Sequence, residues 1–369
     1  MPEMPPKPGG QPNPYVTSGL AKLSARNYNG AIADFTRAIS LGAADARTYV
    51  ALGSAYDELG DHASAIASYD VAIQLSPKYS DAYHNRAIAK ESAGDLEGAY
   101  ADYCKAIELD SRNPLAYFNR GSLLLRGGYP KESIGDFDHA IELDPDDGEA
   151  YQSRGSAKVK IGDKEGALAD YTKAIELDAT NSAAYNNRAS LKREKGDFAG
   201  AIADCDKAIS INPSDSHAYM NRAMCKGNTN DFKGSVEDFT KVLSFDPNNA
   251  NAYKLRSISR LKIGDFKGAS ADLKKAKELG AYAVQLAGTE MEKKPDAENQ
   301  PKPEPQPEAK TEEPVVAQTE QALPEQKEAP TDSGEKKEEE QEESESDSSS
   351  AESKGKSPRA QKKKSAAKK

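Results

Sequence analysis

Residues 148–181 read GEAYQSRGSAKVKIGDKEGALADYTKAIELDATN, and residues 182–215 read SAAYNNRASLKREKGDFAGAIADCDKAISINPSD. Laid over each other without a gap, these two stretches of 34 residues align Tyr151 with Tyr185, Arg154 with Arg188, Gly162-Asp163 with Gly196-Asp197 and Ala174 with Ala208. The register extends both ways. Tyrosines stand at Tyr15, Tyr49, Tyr83, Tyr117, Tyr151, Tyr185, Tyr219 and Tyr253, each 34 residues after the last. A fixed period of this length marks a repeat architecture, in which every copy is one small unit stacked on its neighbours. Counted from residue 12 as position 1, eight periods follow without insertion or deletion: 12–45, 46–79, 80–113, 114–147, 148–181, 182–215, 216–249 and 250–283.

Other positions are as regular as the tyrosine at position 4. Position 8 is always small (Gly19, Gly53, Ala87, Gly121, Gly155, Ala189, Ala223, Ser257), and so is position 20, from Ala31 to Ala269. Position 24 is large in six periods (Phe35, Tyr69, Tyr103, Phe137, Tyr171, Phe239), and position 27 is Ala in seven, with Val242 the exception. Neighbours three or four apart stack on one helical face, so positions 4 and 8 share a face, and so do 20, 24 and 27. Between the two sets lies Gly60-Asp61, Gly94-Asp95, Gly162-Asp163, Gly196-Asp197 or Gly264-Asp265. Gly suits the left-handed residue that ends a helix, and Asp suits the N-cap of the next. Each period therefore reads as two antiparallel helices with small residues at their crossing. Pro77, Pro145, Pro213 and Pro247, all at position 32, are expected to stop the second helix.

This pattern resembles the tetratricopeptide repeat, a helix-turn-helix of 34 residues with aromatic, small, Ala, Phe/Tyr, Ala and Pro positions. The resemblance covers 12–283. It implies an all-α fold, a right-handed α-solenoid or superhelix, with the first helices lining a concave groove. Arg26-Asn27 and Asn230-Asp231 depart from the Gly-Asp turn, and the eighth copy ends in Gly280-Ala281 rather than in Pro. Residues 281–291 are expected to form a short capping helix, of the kind such arrays use to cover the last core face.

Position 7 is Arg in six copies (Arg86, Arg120, Arg154, Arg188, Arg222, Arg256), and position 23 is Asp in the same six (Asp102, Asp136, Asp170, Asp204, Asp238, Asp272). The second copy lacks both, with Leu52 and Ser68. The joint absence suggests an Arg–Asp pair inside each copy. Pairing between neighbouring copies, or arginines free in the groove for an acidic partner, are the alternatives.

Position 6 carries Asn85, Asn119, Asn187 and Asn221. An amide both donates and accepts, so a row of them suits the backbone of a bound peptide whatever its side chains. The row resembles the asparagine ladder of the repeat domain of O-linked N-acetylglucosamine transferase; the alternative is that Asn simply tolerates a wet helix face. At position 5 stand His84, Phe118, Asn186, Met220 and Lys254, a mixed surface with Phe118 and Met220 as candidate apolar anchors. Co-chaperones of this family grip heat-shock C-terminal peptides in a carboxylate clamp that begins with Lys at position 5 and Asn at position 9. Here position 5 is Lys only at Lys254 and position 9 is never Asn, so that clamp is not expected.

Catalytic signatures are missing. His62, His84, His139 and His217 fall at unrelated positions without metal-ligand spacing, and there is no phosphate-binding loop, nucleophile elbow or dinucleotide fingerprint. No enzyme activity, cofactor or metal is expected. Cys104, Cys205 and Cys225 form no CxxC pair and read as reduced packing residues, with a redox contact between Cys205 and Cys225 as the alternative. The 369 residues carry a formal charge of −10, which argues against a general nucleic-acid coat. No run approaches the ~18 apolar residues of a membrane span, and the proline-rich start has no apolar core of a secretory signal. The chain reads as cytoplasmic, or nuclear in a eukaryote.

The two ends differ from the array. Residues 1–11 are proline-rich and expected to be disordered. From 292 to 369 there is no aromatic residue, and the branched aliphatics are Val315, Val316 and Leu323 alone, so a disordered tail is expected. Residues 292–352 hold 20 acidic and 7 basic residues; 353–369 hold 8 basic and no acidic ones. The tail could act as a spacer, as a basic contact for nucleic acid or an acidic surface through 353–369, or as a weak autoinhibitor. These observations together read as a non-catalytic scaffold that binds peptide segments of partner proteins in its groove. A nucleic-acid-associated protein acting through 353–369, and a regulatory subunit of an enzyme on another chain, are the alternatives.

Overall fold

Period and turn chemistry produce helical hairpins in tandem. A computed structural model of the chain describes residues 13–280, and among them are sixteen α-helices and no strand. The first four hairpins are α1 (Pro14–Ser24) with α2 (Tyr28–Ser40), α3 (Ala46–Asp57) with α4 (His62–Leu75), α5 (Ser80–Ser92) with α6 (Leu96–Leu109), and α7 (Pro114–Arg126) with α8 (Pro130–Leu143). The other four are α9 (Gly148–Lys160) with α10 (Lys164–Leu177), α11 (Ser182–Glu194) with α12 (Phe198–Ile211), α13 (Ser216–Asn228) with α14 (Phe232–Phe245), and α15 (Ala250–Lys262) with α16 (Phe266–Glu278). The proline-rich start, the expected cap at 281–291 and the charged tail lie outside the described residues.

Each hairpin turn is built as its chemistry requires. Gly60, Gly94, Gly162, Gly196 and Gly264 adopt positive φ, and the Asp that follows accepts a hydrogen bond from the amide three residues on, as Asp163 does from Gly166 at 2.9 Å. The two departures keep the same backbone: Arg26 has φ 57° and Asn230 has φ 64°. Asn tolerates that conformation; Arg pays about 1 kcal/mol for its Cβ there. In the fourth copy Gly128 (φ 87°) is followed by Tyr129, whose side chain makes no cap, and Pro130 starts the helix instead.

Proline at position 32 does not by itself set the end of the second helix. α6 and α10, whose copies have Ser111 and Ala179 there, end at Leu109 and Leu177, the same repeat position as Leu143 before Pro145. In all these copies the amide at position 31 bonds back to the carbonyl of the Ala at position 27, for example Asp178 to Ala174 at 2.9 Å. That last helical bond closes the helix whether or not Pro follows.

The core is a row of ring-on-backbone contacts. Tyr69, Tyr103, Phe35, Phe137 and Phe239 are buried, and so are the alanines of positions 20 and 27. A Cβ added to Gly53 would lie 2.6 Å from the Tyr69 ring, and one on Gly155 would lie 2.9 Å from the Tyr171 ring. Neither glycine can acquire a side chain without displacing the ring that supports its hairpin. Consecutive first helices also touch, α1 with α3, α3 with α5, α7 with α9, α11 with α13 and α13 with α15, while each second helix packs on the first helices that flank it. The first helices are therefore the closely spaced, inner wall of the solenoid.

Candidate functional site

Two systems lie on and behind the inner wall: a polar row at positions 5 and 6, and a set of charged joints at position 7. In every one of the six arginine copies, Nε and Nη2 donate to both carboxylate oxygens of the Asp sixteen residues on. In the sixth copy Arg188 reaches Asp204 at 2.9 and 2.8 Å; in the third, Arg86 reaches Asp102 at 2.7 and 2.6 Å. Arg120–Asp136, Arg154–Asp170, Arg222–Asp238 and Arg256–Asp272 repeat this fork. The third arginine nitrogen, Nη1, goes the other way, to the residue sixteen back in the preceding copy. It meets Asp70, Asp138 and Asp206 in alternate copies, and Cys104 Sγ, Thr172 Oγ1 and Thr240 Oγ1 in the others. One guanidinium thus holds its own hairpin shut and ties it to the one before. The arginines are engaged in these joints and not free in the groove.

Two further partners were not read from the sequence. The guanidinium of each arginine stacks over the tyrosine at position 4, with Arg154 5.3 Å above Tyr151 and Arg222 5.4 Å above Tyr219. The aspartate receives a second cation from position 11: Lys90, Lys158, Lys192, Lys226 and Arg260 sit 2.8–2.9 Å from it. In the fourth copy Leu124 occupies that position. The regular Tyr, Arg, Lys spacing of three and four residues was the available signal. Burial alone would lower the pKa of Arg86, Arg120 and Arg154, but their aspartate hydrogen bonds outweigh it and raise it; in Arg188 and Arg222 those bonds are the larger influence from the start.

The polar row is half-buried along the first helices. Asn221 Nδ2 donates to Asn186 Oδ1 of the preceding copy at 2.8 Å, and Asn119 Nδ2 lies 3.4 Å from His84 Nε2 in the same relation. The side chains of Asn85 and Asn187 make no hydrogen bond among the described residues. His84 is buried edge-on against Tyr103, which lowers its pKa and keeps the ring neutral. Phe118 packs on Phe137, with ring centres 5.8 Å apart, and Met220 packs in the cluster around Ala223 and Phe239, so both are shared between the core and the inner face. Lys254 is half-buried and forms no ion pair among the described residues.

A cleft of about 490 Å³ opens where α11, α13 and α15 come together. Its floor is Met224, Phe239, Leu255 and Ile258, and its rim carries Arg193 and Lys262. It exists because Gly227 stands where the first, fourth and eighth copies have Leu23, Leu125 and Leu261. A Cβ on Gly227 would meet nothing closer than Ser235 Oγ at 3.6 Å. Gly227→Ala is therefore expected to stabilise the chain by about 0.5 kcal/mol through helix propensity alone, read as a raised urea midpoint.

Two of the three cysteines are internal to the packing, and Cys104 is half-buried at the Arg120 joint. Cys205 and Cys225 are buried in one cluster with Ala189 and Ala201, and burial pushes their thiols up to about 12 and about 11, so both stay protonated at neutral pH. No group of His, Cys, Asp and Glu able to hold a metal occurs among the described residues. Nor is any helix among them long and apolar enough to cross a membrane.

Hairpins in tandem, joined by charged forks and faced by a polar inner wall, define a helical-repeat solenoid of the kind that generally serves as an interaction scaffold. The chain belongs to the tetratricopeptide repeat family. Models of the tetratricopeptide repeat match residues 16–80, 115–147, 148–181, 182–215 and 216–249, and a TPR repeat model matches 92–128. Among solved structures, the chain is similar to the C-terminal part of a TPR repeat-containing protein from Cytophaga hutchinsonii, at 18% identity over 65% of this chain and 98% of that one, with a TM-score of 0.53. It is also similar to PilF of Pseudomonas aeruginosa, at 17% identity over 60% and 96%, with a TM-score of 0.52. At these identities the likeness is one of fold. YrrB, described as a TPR protein with an unusual peptide-binding site, shares 23% identity over 50% of this chain and 95% of its own, with a TM-score of 0.44. No curated protein matches the sequence.

Proposed function

We propose that the chain is a non-catalytic scaffold whose inner wall holds an extended peptide segment of a partner protein. The observation that carries this reading is the row at position 6. Asn85 and Asn187 keep both amide donor and acceptor capacity on the half-exposed face, while Asn119 and Asn221 are oriented by His84 and Asn186 of the copy before. Such a row pairs with peptide N–H and C=O groups and leaves selectivity to positions 2, 5 and 9. The arginines and aspartates behind it keep the wall straight and in register and do not contact the ligand.

The test is affinity capture from source lysate with the full chain, beside the variant in which Asn85, Asn119, Asn187 and Asn221 are all changed to Ala. A net loss of about 0.5–1.5 kcal/mol per amide that pairs with the ligand is expected to weaken partner binding at least about tenfold, with helical content by circular dichroism unchanged. Identical capture by both proteins would remove the asparagine row from the binding surface. Binding that survives the variant and is lost on deleting 353–369 would belong to the basic end.

A further inference from the structure

The cleft between α11, α13 and α15 carries cations without counter-ions. Arg193 stands at position 12 of the sixth copy. In the third copy that position is Glu91, which pairs with Arg126 at position 13 of the copy that follows. Here the residue corresponding to Arg126 is Asn228, which is uncharged and donates to Met224 O at 2.8 Å, and the other charge on the rim is Lys262. Arg193 Nε is buried and has no hydrogen-bond partner, and neither Arg193 nor Lys262 forms an ion pair among the described residues. The arginines of position 7 differ, since each donates to three acceptor atoms, as Arg188 does. At the base of the cleft Ser235 and Ser259 satisfy each other, Oγ to Oγ at 2.9 Å. The rest of the floor is apolar. Met224, Leu255 and Ile258 lie half-buried there, with room above them because position 12 of the seventh copy is Gly227.

A guanidinium nitrogen held out of water without an acceptor is a cost that a bound anion removes. An apolar floor open to water is a cost that an aliphatic side chain removes. We infer that this cleft is a subsite for a partner segment in which an aliphatic residue adjoins Asp or Glu. The aliphatic side chain rests on Leu255 and Ile258, and the carboxylate accepts from Arg193 Nε beside Lys262. The surrounding copy favours the same sign of ligand, with eight basic and three acidic side chains in residues 250–280. The position on the wall suits a peptide. Asn221 precedes Met224 by three residues on α13 and shares its face, so a chain paired with the asparagine row reaches the cleft within one helical turn. The inference rests on the inner wall as a peptide-binding face and adds what the row lacks, a preference for one kind of side chain. The carboxylate contact is charge-assisted, so a ligand without it is expected to bind at least about tenfold more weakly.

The test is a titration of the full chain, isotope-labelled at its methionine methyl groups, with acetyl-Ser-Glu-Leu-Glu-Ser-amide. The Met224 methyl reports on the cleft and the Met220 methyl on the row, each assigned by its loss in Met224→Leu or Met220→Leu. The expected result is a saturable shift of the Met224 resonance. Replacing both glutamates of the peptide by glutamine is expected to weaken binding at least about tenfold, and so is Arg193→Gln. Replacing the peptide's leucine by serine should remove the shift. Gly227→Leu places in the cleft the side chain that the first, fourth and eighth copies carry there, and is expected to abolish the shift with the helical spectrum retained. Equal binding of the glutamate and glutamine peptides, or binding unchanged in Arg193→Gln, would overturn the inference. So would the absence of any shift at about 10 mM peptide, where a ligand of ~1 mM affinity is near saturation. A shift of Met220 without Met224 would overturn it as well, while leaving the wall as a peptide-binding face. A Met224 shift that persists in the variant lacking all four asparagines would support the cleft and remove the row.

Discussion

Asp204→Ala is expected to destabilise the sixth hairpin by about 3 kcal/mol. Asp204 is 5% exposed and accepts from Arg188 at 2.9 and 2.8 Å and from Lys192 at 2.8 Å. Truncating it leaves two cations largely out of water, side by side, with Thr172 the remaining acceptor of the guanidinium. The cost is that of an uncompensated charge, and so exceeds the net worth of the pair. The second copy shows what a compensated absence looks like: Leu52 is buried at position 7, and Ser68 at position 23 satisfies itself by donating to Ser64 O at 2.7 Å. Arg188→Leu with Asp204→Ser, which copies that arrangement, is accordingly expected to cost less than the single Asp204→Ala. Hydrogen exchange of amides in α11 and α12 measures both, because stability in a linear array is local before it is global. A single variant no worse than the double would show that water already compensates the arginine.

Phe137→Ala should cost about 3–5 kcal/mol, the range for deleting a fully buried ring. Phe137 is 0% exposed and lies against Gly121 on the facing helix, where a Cβ would come within 3.1 Å of it. Nothing on the Gly121 side can move in to fill the space, so the cavity persists. Gly121→Val alone overpacks the same contact by about 1–3 kcal/mol. In the double variant the valine enters the space the ring vacates, and the sum of the two single losses should exceed the loss observed. Urea midpoints of the four proteins close this cycle, with a coupling of about 1–2 kcal/mol expected between residues in direct contact. Strict additivity would mean that the ring and the glycine do not share one packing site.

The hairpins were legible in the sequence because the positions that set the backbone hold one chemistry in all or most copies: small at 8 and 20, large at 24, glycine and aspartate at the turn. Arg26 and Asn230 looked like departures, yet they adopt the same left-handed conformation, since the geometry belongs to the turn and the residue only makes it easy or costly. The spacing of sixteen between position 7 and position 23 was readable for the same reason. The backward bond was not, although it spans the same sixteen residues, because its acceptor changes among Asp, Thr and Cys and no single letter recurs. The cleft was hidden for a further reason. It is made by what Gly227 and Ser259 lack, where other copies place leucines, and a missing side chain leaves no pattern of its own.

Because each arginine reaches sixteen residues forward to close its own hairpin and sixteen back to the hairpin before, the array can gain or lose whole periods without orphaning a charge. Excising 148–181, for instance, would bring Arg188 against Asp138 in place of Thr172, one acceptable acceptor for another. Slippage by any other number of residues would strand a guanidinium at the joint. Gain or loss of whole units is thus the change in length that this joint tolerates, consistent with six consecutive arginine copies that do not differ by a single inserted residue.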